Sequence, residues 1–178
     1  MSSNEQIATA RSFLARLRTA FDAATLALAQ RCSANGRLSG GKLDAEQVAL
    51  FELAWAAADL LAAEAGVASL RPDSSELDTR LALLFAAEAG TAVLARLDTL
   101  HLELGLARDT LRALRDDPGW ESLCRSAAGS RALEAAGGAV AASDGEVGQL
   151  ALDEPHAMAQ ASFRRFACLL YTSPSPRD

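Results

Sequence analysis

Apolar residues in the first thirty positions recur at steps of three and four, which is the repeat of an amphipathic helix. The repeating positions are Ile7, Ala10, Leu14, Leu17, Phe21, Ala24 and Leu28. Ser3 followed by Gln6 matches a capping box at the start of this helix. Asn35-Gly36 is a good left-handed terminator for its end. The pattern predicts a long first helix with one narrow buried face.

A second helix is predicted after the glycine-rich loop 36–42. Asp44 and Gln47 form its capping signature, and Gly66 is expected to stop it after about Ala65. The stripe that we expect it to bury is Val48, Phe51, Trp55, Ala58, Ala62 and Ala65. The alanines allow close approach of another helix, and the two aromatic residues are expected to provide most of the buried area.

A third helix is predicted over residues 76–104, capped by Asp73 or Ser74. Its leucines lie on more than one face, so we expect this helix to be central and covered by several partners. Gly90 lies in its middle, where glycine costs about 1 kcal/mol against alanine. Gly90 is therefore interpreted as a point of close packing.

Shorter segments follow the third helix. They are a helix at 106–115, another begun by Asp117-Pro118-Gly119, a turn at 132–136, a linker rich in Gly, Ala and Ser over 137–148, and a last helix opened by Asp153-Glu154-Pro155. The fold class predicted is all-α, an antiparallel helical bundle of three long helices plus shorter appended helices.

Composition excludes most alternatives to this fold. The 178 residues include 40 Ala and 29 Leu but only 5 Val and 1 Ile. Alanine and leucine are strong helix formers, whereas a sheet of ordinary size needs more β-branched residues.

Charge is distributed unevenly along the chain. Within the net charge of −6, residues 1–43 carry +4 and residues 44–105 carry −8. The basic segment is either a nucleic-acid-binding arm or a helix that lies against acidic neighbours. The second interpretation is favoured, because no basic run or interleaved aromatic residues accompany the charge.

The compartment expected is the cytoplasm, with no membrane and no nucleic acid among the partners. The N-terminus lacks the basic and apolar regions of a secretory signal. The most apolar window, 49–70, is interrupted by Glu52, Asp59 and Glu64, so it is interpreted as a core helix. Three widely separated cysteines are typical of reduced thiols.

Two short motifs resemble ligand loops. Gly36, Gly41 and Lys42 match the spacing of a phosphate-binding loop, but Leu43 stands where that loop needs Ser or Thr, and no strand precedes it. The segment Ser143–Glu146 is too short for a Ca²⁺ loop. The first is interpreted as a connection between helices, and the second as a turn.

Individual side chains give no site either. His101 and His156 are expected at the surface or at the edge of the bundle. Cys32 and Cys124 are interpreted as structural thiols. Glu88 lies on an apolar stripe, where it is an acid or base with a raised pKa, a partner of an arginine on the first helix, or a residue at the edge of the stripe. No catalytic, cofactor-binding or metal-binding residue is assigned.

The last residues differ from the rest. Residues 168–178 hold the single Tyr and two of the five Pro, and they are expected to break the last helix. The segment resembles the in-frame translation of a transposon end followed by a sequencing adapter. This resemblance implies an assembled environmental sequence in which 168–178 is a non-native tail.

Residues 1–167 resemble acyl-CoA dehydrogenases. Residues 161–167, with Phe163-Arg-Arg-Phe166-Ala, are similar to the first helix of that family. The stretch 40–44, the triplet 53–55 and Ser143–Glu146 resemble the helical extension of methylsuccinyl-CoA dehydrogenase-like members. The departure is at 56–59, where another aromatic residue is expected.

The resemblance implies a flavoprotein that oxidises an acyl-CoA thioester, with FAD as hydride acceptor and a glutamate as base. It implies a helical extension over 1–136, a linker over 137–152, and the start of the first dehydrogenase helix over 153–167. The site and its FAD would follow residue 167. This fragment would itself hold no cofactor, and it would be a non-catalytic layer packed on its own chain or at the subunit interface of a homo-oligomer.

Two rivals stay open. One is a stand-alone helical module that binds a protein partner. The other is a helical ligand-binding domain of a regulator, although no basic recognition helix accompanies it.

Overall fold

The computed structural model describes residues 2–143 and 154–172. Residues 1–145 form one compact unit, and residues 146–178 form a second. The elements are α1 (Ser3–Arg31), β1 (Ser33–Ala34), β2 (Arg37–Leu38), α2 (Gly40–Ala45), α3 (Gln47–Ser69), α4 (Glu76–Glu103), α5 (Asp109–Arg115), α6 (Pro118–Ala128), α7 (Ser130–Ala142) and α8 (Glu154–Thr172). The predicted all-α class is confirmed.

Helix α1 has the predicted stripe and a wider buried face. Its cap lies one residue earlier than expected, because Ser2 and Glu5 form the capping box. The buried residues are Ala10, Phe13, Leu14, Leu17, Ala20, Phe21, Ala24 and Leu28. The additional residues Phe13 and Ala20 widen the face, and α1 packs against α3, α4, α5 and α6.

The predicted helix terminator is instead the turn of a small hairpin. Helix α1 ends at Arg31, and β1 then pairs antiparallel with β2. Asn35 and Gly36 have φ of 51° and 74°. Two consecutive left-handed residues are what a type I′ hairpin turn requires, whereas a helix end requires one. The predicted loop 36–42 is thus the second half of a hairpin and the start of α2.

Ion pairs show how α1 and α3 run. Arg18 on α1 pairs with Glu64 on α3, and Arg31, near the end of α1, pairs with Glu46 at the start of α3. The two helices are therefore antiparallel. These pairs also confirm that the basic first segment lies against acidic neighbours.

Helix α4 is central, as its sequence predicts, and it lies parallel to α1. Its contacts extend to α1, α3, α5, α6 and α7. Gly90 lies beneath the rings of Phe13 and Trp120, which stack with centroids 3.5 Å apart. A Cβ at position 90 would lie 2.7 Å from Trp120 Cη2. The expectation of close packing at Gly90 is confirmed.

Several helix boundaries differ from the prediction. Helix α3 continues past Gly66 to Ser69, and α7 extends from Ser130 to Ala142, so residues 137–142 are helical and not linker. A Cβ at Gly66, Gly137 or Gly138 would contact no other group, so packing does not require glycine at these positions. Each glycine lowers the local helix propensity, and the high propensity of the surrounding alanines compensates for this loss. Helix α8 continues through residue 168 to Thr172, so the expected break there is wrong.

Candidate functional site

Helix α3 buries a different face from the one predicted. Its buried residues are Ala49, Ala56, Leu60, Ala63 and Val67, which pack against α1 and α4. The predicted stripe lies on the opposite side and is exposed along its whole length. We call this stripe the outer face, and it comprises Val48, Phe51, Trp55, Ala58, Ala62 and Ala65. The prediction was wrong because both sides of α3 are apolar, and the larger side chains lie outside.

Two aromatic side chains dominate the outer face. The side chains of Phe51 and Trp55 are 59% and 49% exposed to solvent, and that of Val48 is 78% exposed. The rings of Phe51 and Trp55 meet edge to face, with centroids 6.1 Å apart and planes at 73°. This geometry is favourable for an aromatic pair. The pair forms a preassembled apolar ridge one turn from the start of α3.

Two of the three charged residues of α3 lie at its seams with α1 and α4. Glu64 accepts two hydrogen bonds from Arg18, one of them 2.9 Å from Nε, and this contact raises the pKa of the Arg18 guanidinium. Glu52 pairs with Arg96 of α4. Neither acid belongs to the outer face, and the third acid of the helix, Asp59, lies at its edge, next to Ala58 and one turn after Trp55. Exposed apolar patches of this kind mark interaction surfaces, so the outer face is the strongest candidate interaction surface.

His101 is buried, which corrects the prediction of a surface or bundle-edge residue. Its ring is 3% exposed. Nε2 lies 3.0 Å from the carbonyl of Ala20 on α1, and Nδ1 lies 3.1 Å from the carbonyl of Ala107. Both partners are carbonyl oxygens, which only accept, so the ring is the donor in these contacts. His101 joins α1 to the α4–α5 connection and has a structural role.

Both described thiols are free, as expected. Cys32 is completely buried, and Cys124 is half-buried. Burial raises the pKa of the Cys124 thiol, which opposes formation of the nucleophilic thiolate. Cysteine 168 lies outside the residues whose side chains are described.

The loop that resembles a phosphate-binding motif is engaged internally. Lys42 Nζ donates a hydrogen bond of 2.6 Å to the carbonyl of Ser33. Gly41 lies inside α2, and the segment follows a helix and a hairpin. The lysine thus closes the hairpin onto α2, in agreement with a connecting role.

The remaining candidates do not converge. Glu88 is exposed on α4, and it makes no ion pair within the part of the chain that the structure describes. His156 lies on α8, in the second unit, and Ser143 follows the end of α7. Residues 144–146, the rest of the short acidic motif, lie outside the described residues. Within residues 2–143 and 154–172, no three His, Cys, Asp or Glu side chains group as metal ligands would.

A polar cleft of about 510 Å³ opens between the first turns of α1 and α4 and the end of α6. Arg71, Arg80 and Ser126 contribute to its wall, and Arg80 pairs with Glu76. No aromatic side chain contributes to this wall.

Among the described helices, none has the length and apolar character needed to cross a bilayer. No family model matches the chain, and no curated protein matches it. The outer face of α3 is therefore the feature on which a functional assignment has to rest.

Proposed function

We propose that this chain is the N-terminal helical segment of an FAD-dependent acyl-CoA dehydrogenase, in which it forms a packing layer outside the catalytic part. The outer face of α3 is the observation that carries the proposal. Apolar patches of this kind on a soluble domain mark interaction surfaces, and the cover for this one must come from outside residues 2–143. In a layer packed within a larger assembly, the rest of that assembly covers the apolar face.

The resemblance of residues 161–167 to the first dehydrogenase helix supports the same proposal. These residues lie on α8, in a compact unit separate from the bundle. Phe163 and Phe166 are exposed. In the proposal, they begin the catalytic fold and pack against residues that follow position 167.

The described residues do not fit FAD. The cleft beside Arg71 and Arg80 has no aromatic side chain to stack on a flavin ring, and the outer face of α3 offers no side-chain hydrogen-bonding group except the indole N–H of Trp55. We therefore place the flavin, the acyl-CoA and the catalytic glutamate beyond residue 167. We also place the protein in the cytoplasm, in keeping with the free thiols of Cys32 and Cys124.

Flavin binding tests whether the flavin site lies outside this helical segment. The purified 178-residue chain, dialysed after addition of FAD, should retain no visible flavin absorbance and show no turnover of acyl-CoA thioesters. Full-length protein from the source gene should be yellow. Removal of residues 1–145 from that protein should leave the flavin in place and change its state of association. Retention of FAD by the 178-residue chain would contradict the proposal.

A stand-alone helical module that binds a protein partner is the second candidate, and it too would use the outer face of α3 as its interaction surface. The resemblance of residues 161–167 is what favours the dehydrogenase over it. The two functions differ in what the gene encodes after codon 167. A stand-alone module predicts a stop codon soon afterwards, whereas a dehydrogenase predicts a catalytic domain.

A further inference from the structure

We propose that the outer face of α3 binds an amphipathic helix of another protein, and that this helix carries lysine or arginine along one edge of its apolar stripe. The acids that border the outer face carry the inference. It concerns the chemistry of the partner and holds for either candidate function, so its failure would leave the assignment to a dehydrogenase untouched.

The ion pair of Glu52 with Arg96 fixes how α3 and α4 lie beside each other. The two helices are joined by the short connection 70–75, pack along each other and run antiparallel. Residues that follow Glu52 in α3 therefore lie level with residues that precede Arg96 in α4. Asp59 follows Glu52 by about two turns, and Glu88 precedes Arg96 by slightly more than two. The carboxylates of Asp59 and Glu88 thus lie at the same level, one on each helix.

A third acid lies toward the other end of the outer face. Glu103 follows Arg96 by about two turns, so it lies on the same side of α4 and level with the start of α3. Glu88 and Glu103 are exposed, and Asp59 is half-buried. Within the part of the chain that the structure describes, none of these three side chains makes an ion pair or a hydrogen bond. We call Asp59, Glu88 and Glu103 the acidic rim.

No lysine or arginine of α3 or α4 compensates the acidic rim. Helix α3 contains neither residue. Helix α4 contains two arginines, of which Arg96 pairs with Glu52 and Arg80 pairs with Glu76. Arg71, in the connection between the helices, lines the polar cleft. The outer face is thus an apolar surface bordered by uncompensated negative charge, which is complementary to a positively charged partner.

Phe85 extends the apolar surface from α3 onto α4. It precedes Arg96 by about three turns, which places it on the same side of α4 and level with Ala62 of the outer face. Phe85 is 42% exposed. Because a buried aromatic side chain covers about 150–250 Å², Phe51, Trp55 and Phe85 together leave about 300 Å² for a partner. Apolar side chains shared by two adjacent helices form the kind of groove that an amphipathic helix binds.

The acidic rim also decides against a second copy of this chain as the partner. Two outer faces in contact would bring their acids together, and facing like charges destabilise an interface. A helix with lysine or arginine at the edge of its stripe instead places cations beside the rim, while its apolar side chains cover the aromatic residues. The area is below that of a stable protein interface, so we expect dissociation constants of about 10–100 μM.

Peptides of defined pattern test the inference directly. The first is a peptide of about 18 residues, or five helical turns, made of leucine and lysine with the leucines at steps of three and four. The second has glutamate in place of each lysine, and the third has the composition of the first in scrambled order. Each labelled peptide is titrated with the 178-residue chain at physiological ionic strength and followed by fluorescence anisotropy. The first peptide should bind saturably and about 10-fold more tightly than the other two.

Variants of the chain identify the site. Asp59→Lys combined with Glu88→Lys should weaken binding of the leucine–lysine peptide about 10-fold and allow the leucine–glutamate peptide to bind. Asp116→Lys combined with Glu134→Lys is the matched control, because it changes the net charge equally at exposed positions outside α3 and α4. It should change binding by less than about two-fold, since distant charges are screened. Trp55→Ala removes the largest side chain of the outer face and should weaken binding about 10-fold or more.

Three results would overturn the proposal. One is the absence of saturable binding of the leucine–lysine peptide at high micromolar concentrations of the chain. Another is equal binding of the scrambled or the leucine–glutamate peptide, because the outer face would then fail to select an apolar stripe or a positive charge. The third is a control variant that weakens binding as much as the rim variant does, because the peptide would then respond only to net charge.

Discussion

Replacing Gly90 by alanine tests the packing of the bundle at its most crowded point. The new methyl group would lie 2.7 Å from Trp120 Cη2 and 3.0 Å from Phe13 Cε1. Both atoms belong to buried rings whose planes lie within 3° of each other. Neither ring can turn aside without breaking the stack, so the stacked pair must move as a unit.

The magnitude follows from two opposing effects. Overpacking a core costs about 1–3 kcal/mol, and the rigid pair places Gly90→Ala toward the upper end. Alanine recovers about 1 kcal/mol of helix propensity relative to glycine. The expected net loss in the free energy of unfolding is about 1–2 kcal/mol, which urea denaturation followed by circular dichroism at the helix band resolves.

Gly66→Ala is the matched control. Gly66 is also inside a long helix, but a Cβ there meets nothing within 4 Å. This variant should be more stable than the wild type by up to about 1 kcal/mol, since only propensity changes. In a Trp120→Phe background, which removes the crowding ring atom, Gly90→Ala should cost less. The reasoning is refuted if Gly90→Ala is as stable as Gly66→Ala.

Three further predictions concern the polar groups of the bundle. Hydrogen bonds from the backbone N–H of Trp120, and then from Arg16, lower the pKa of Asp117, so its carboxylate stabilises the fold at neutral pH. This contribution is lost as the pH falls below about 5. Asp117→Asn should therefore be less stable than the wild type at pH 7, but its free energy of unfolding in urea titrations should fall less than that of the wild type between pH 5 and pH 2. An equal fall in both proteins would contradict this. His101→Leu removes the hydrogen bonding of the ring to backbone carbonyls and should lower the free energy of unfolding by about 1–3 kcal/mol. His101→Gln keeps a donor and should lower it by less. If His101→Leu is as stable as the wild type, the structural role of His101 is refuted. In a Cys168→Ser chain, Ellman's reagent should react slowly with Cys124, because burial raises the pKa of its thiol, and not at all with Cys32 until the chain unfolds. Rapid reaction of this variant at neutral pH would contradict both statements.

The buried residues of helices α1 and α4 were predictable because the pattern of polar and apolar residues in their sequences shows how each helix packs. In α1, the arginines alternate with a continuous apolar stripe. In α4, leucines on several faces and a lone glycine predict a central helix with one crowded position. The structure has both features, and Gly90 lies where the sequence indicates.

The outer face of α3 could not be predicted because hydrophobicity is the same on both sides. Alanine is the commonest residue of this helix and favours neither burial nor exposure. The signal that could have found the site was a second apolar side on the same helix, which competes with the predicted stripe for burial and comprises Ala49, Ala56, Leu60, Ala63 and Val67. His101 was missed for another reason: its partners are backbone carbonyls, which no side-chain pattern reveals.

The nucleotide sequence of the source gene past codon 167 tests the central claim most directly. Long-read sequencing across this point requires no folded protein. The account predicts that codons 168–178 are replaced by others and that the frame continues into an acyl-CoA dehydrogenase domain. A frame that stops soon after codon 167, or that continues into an unrelated domain, would contradict it.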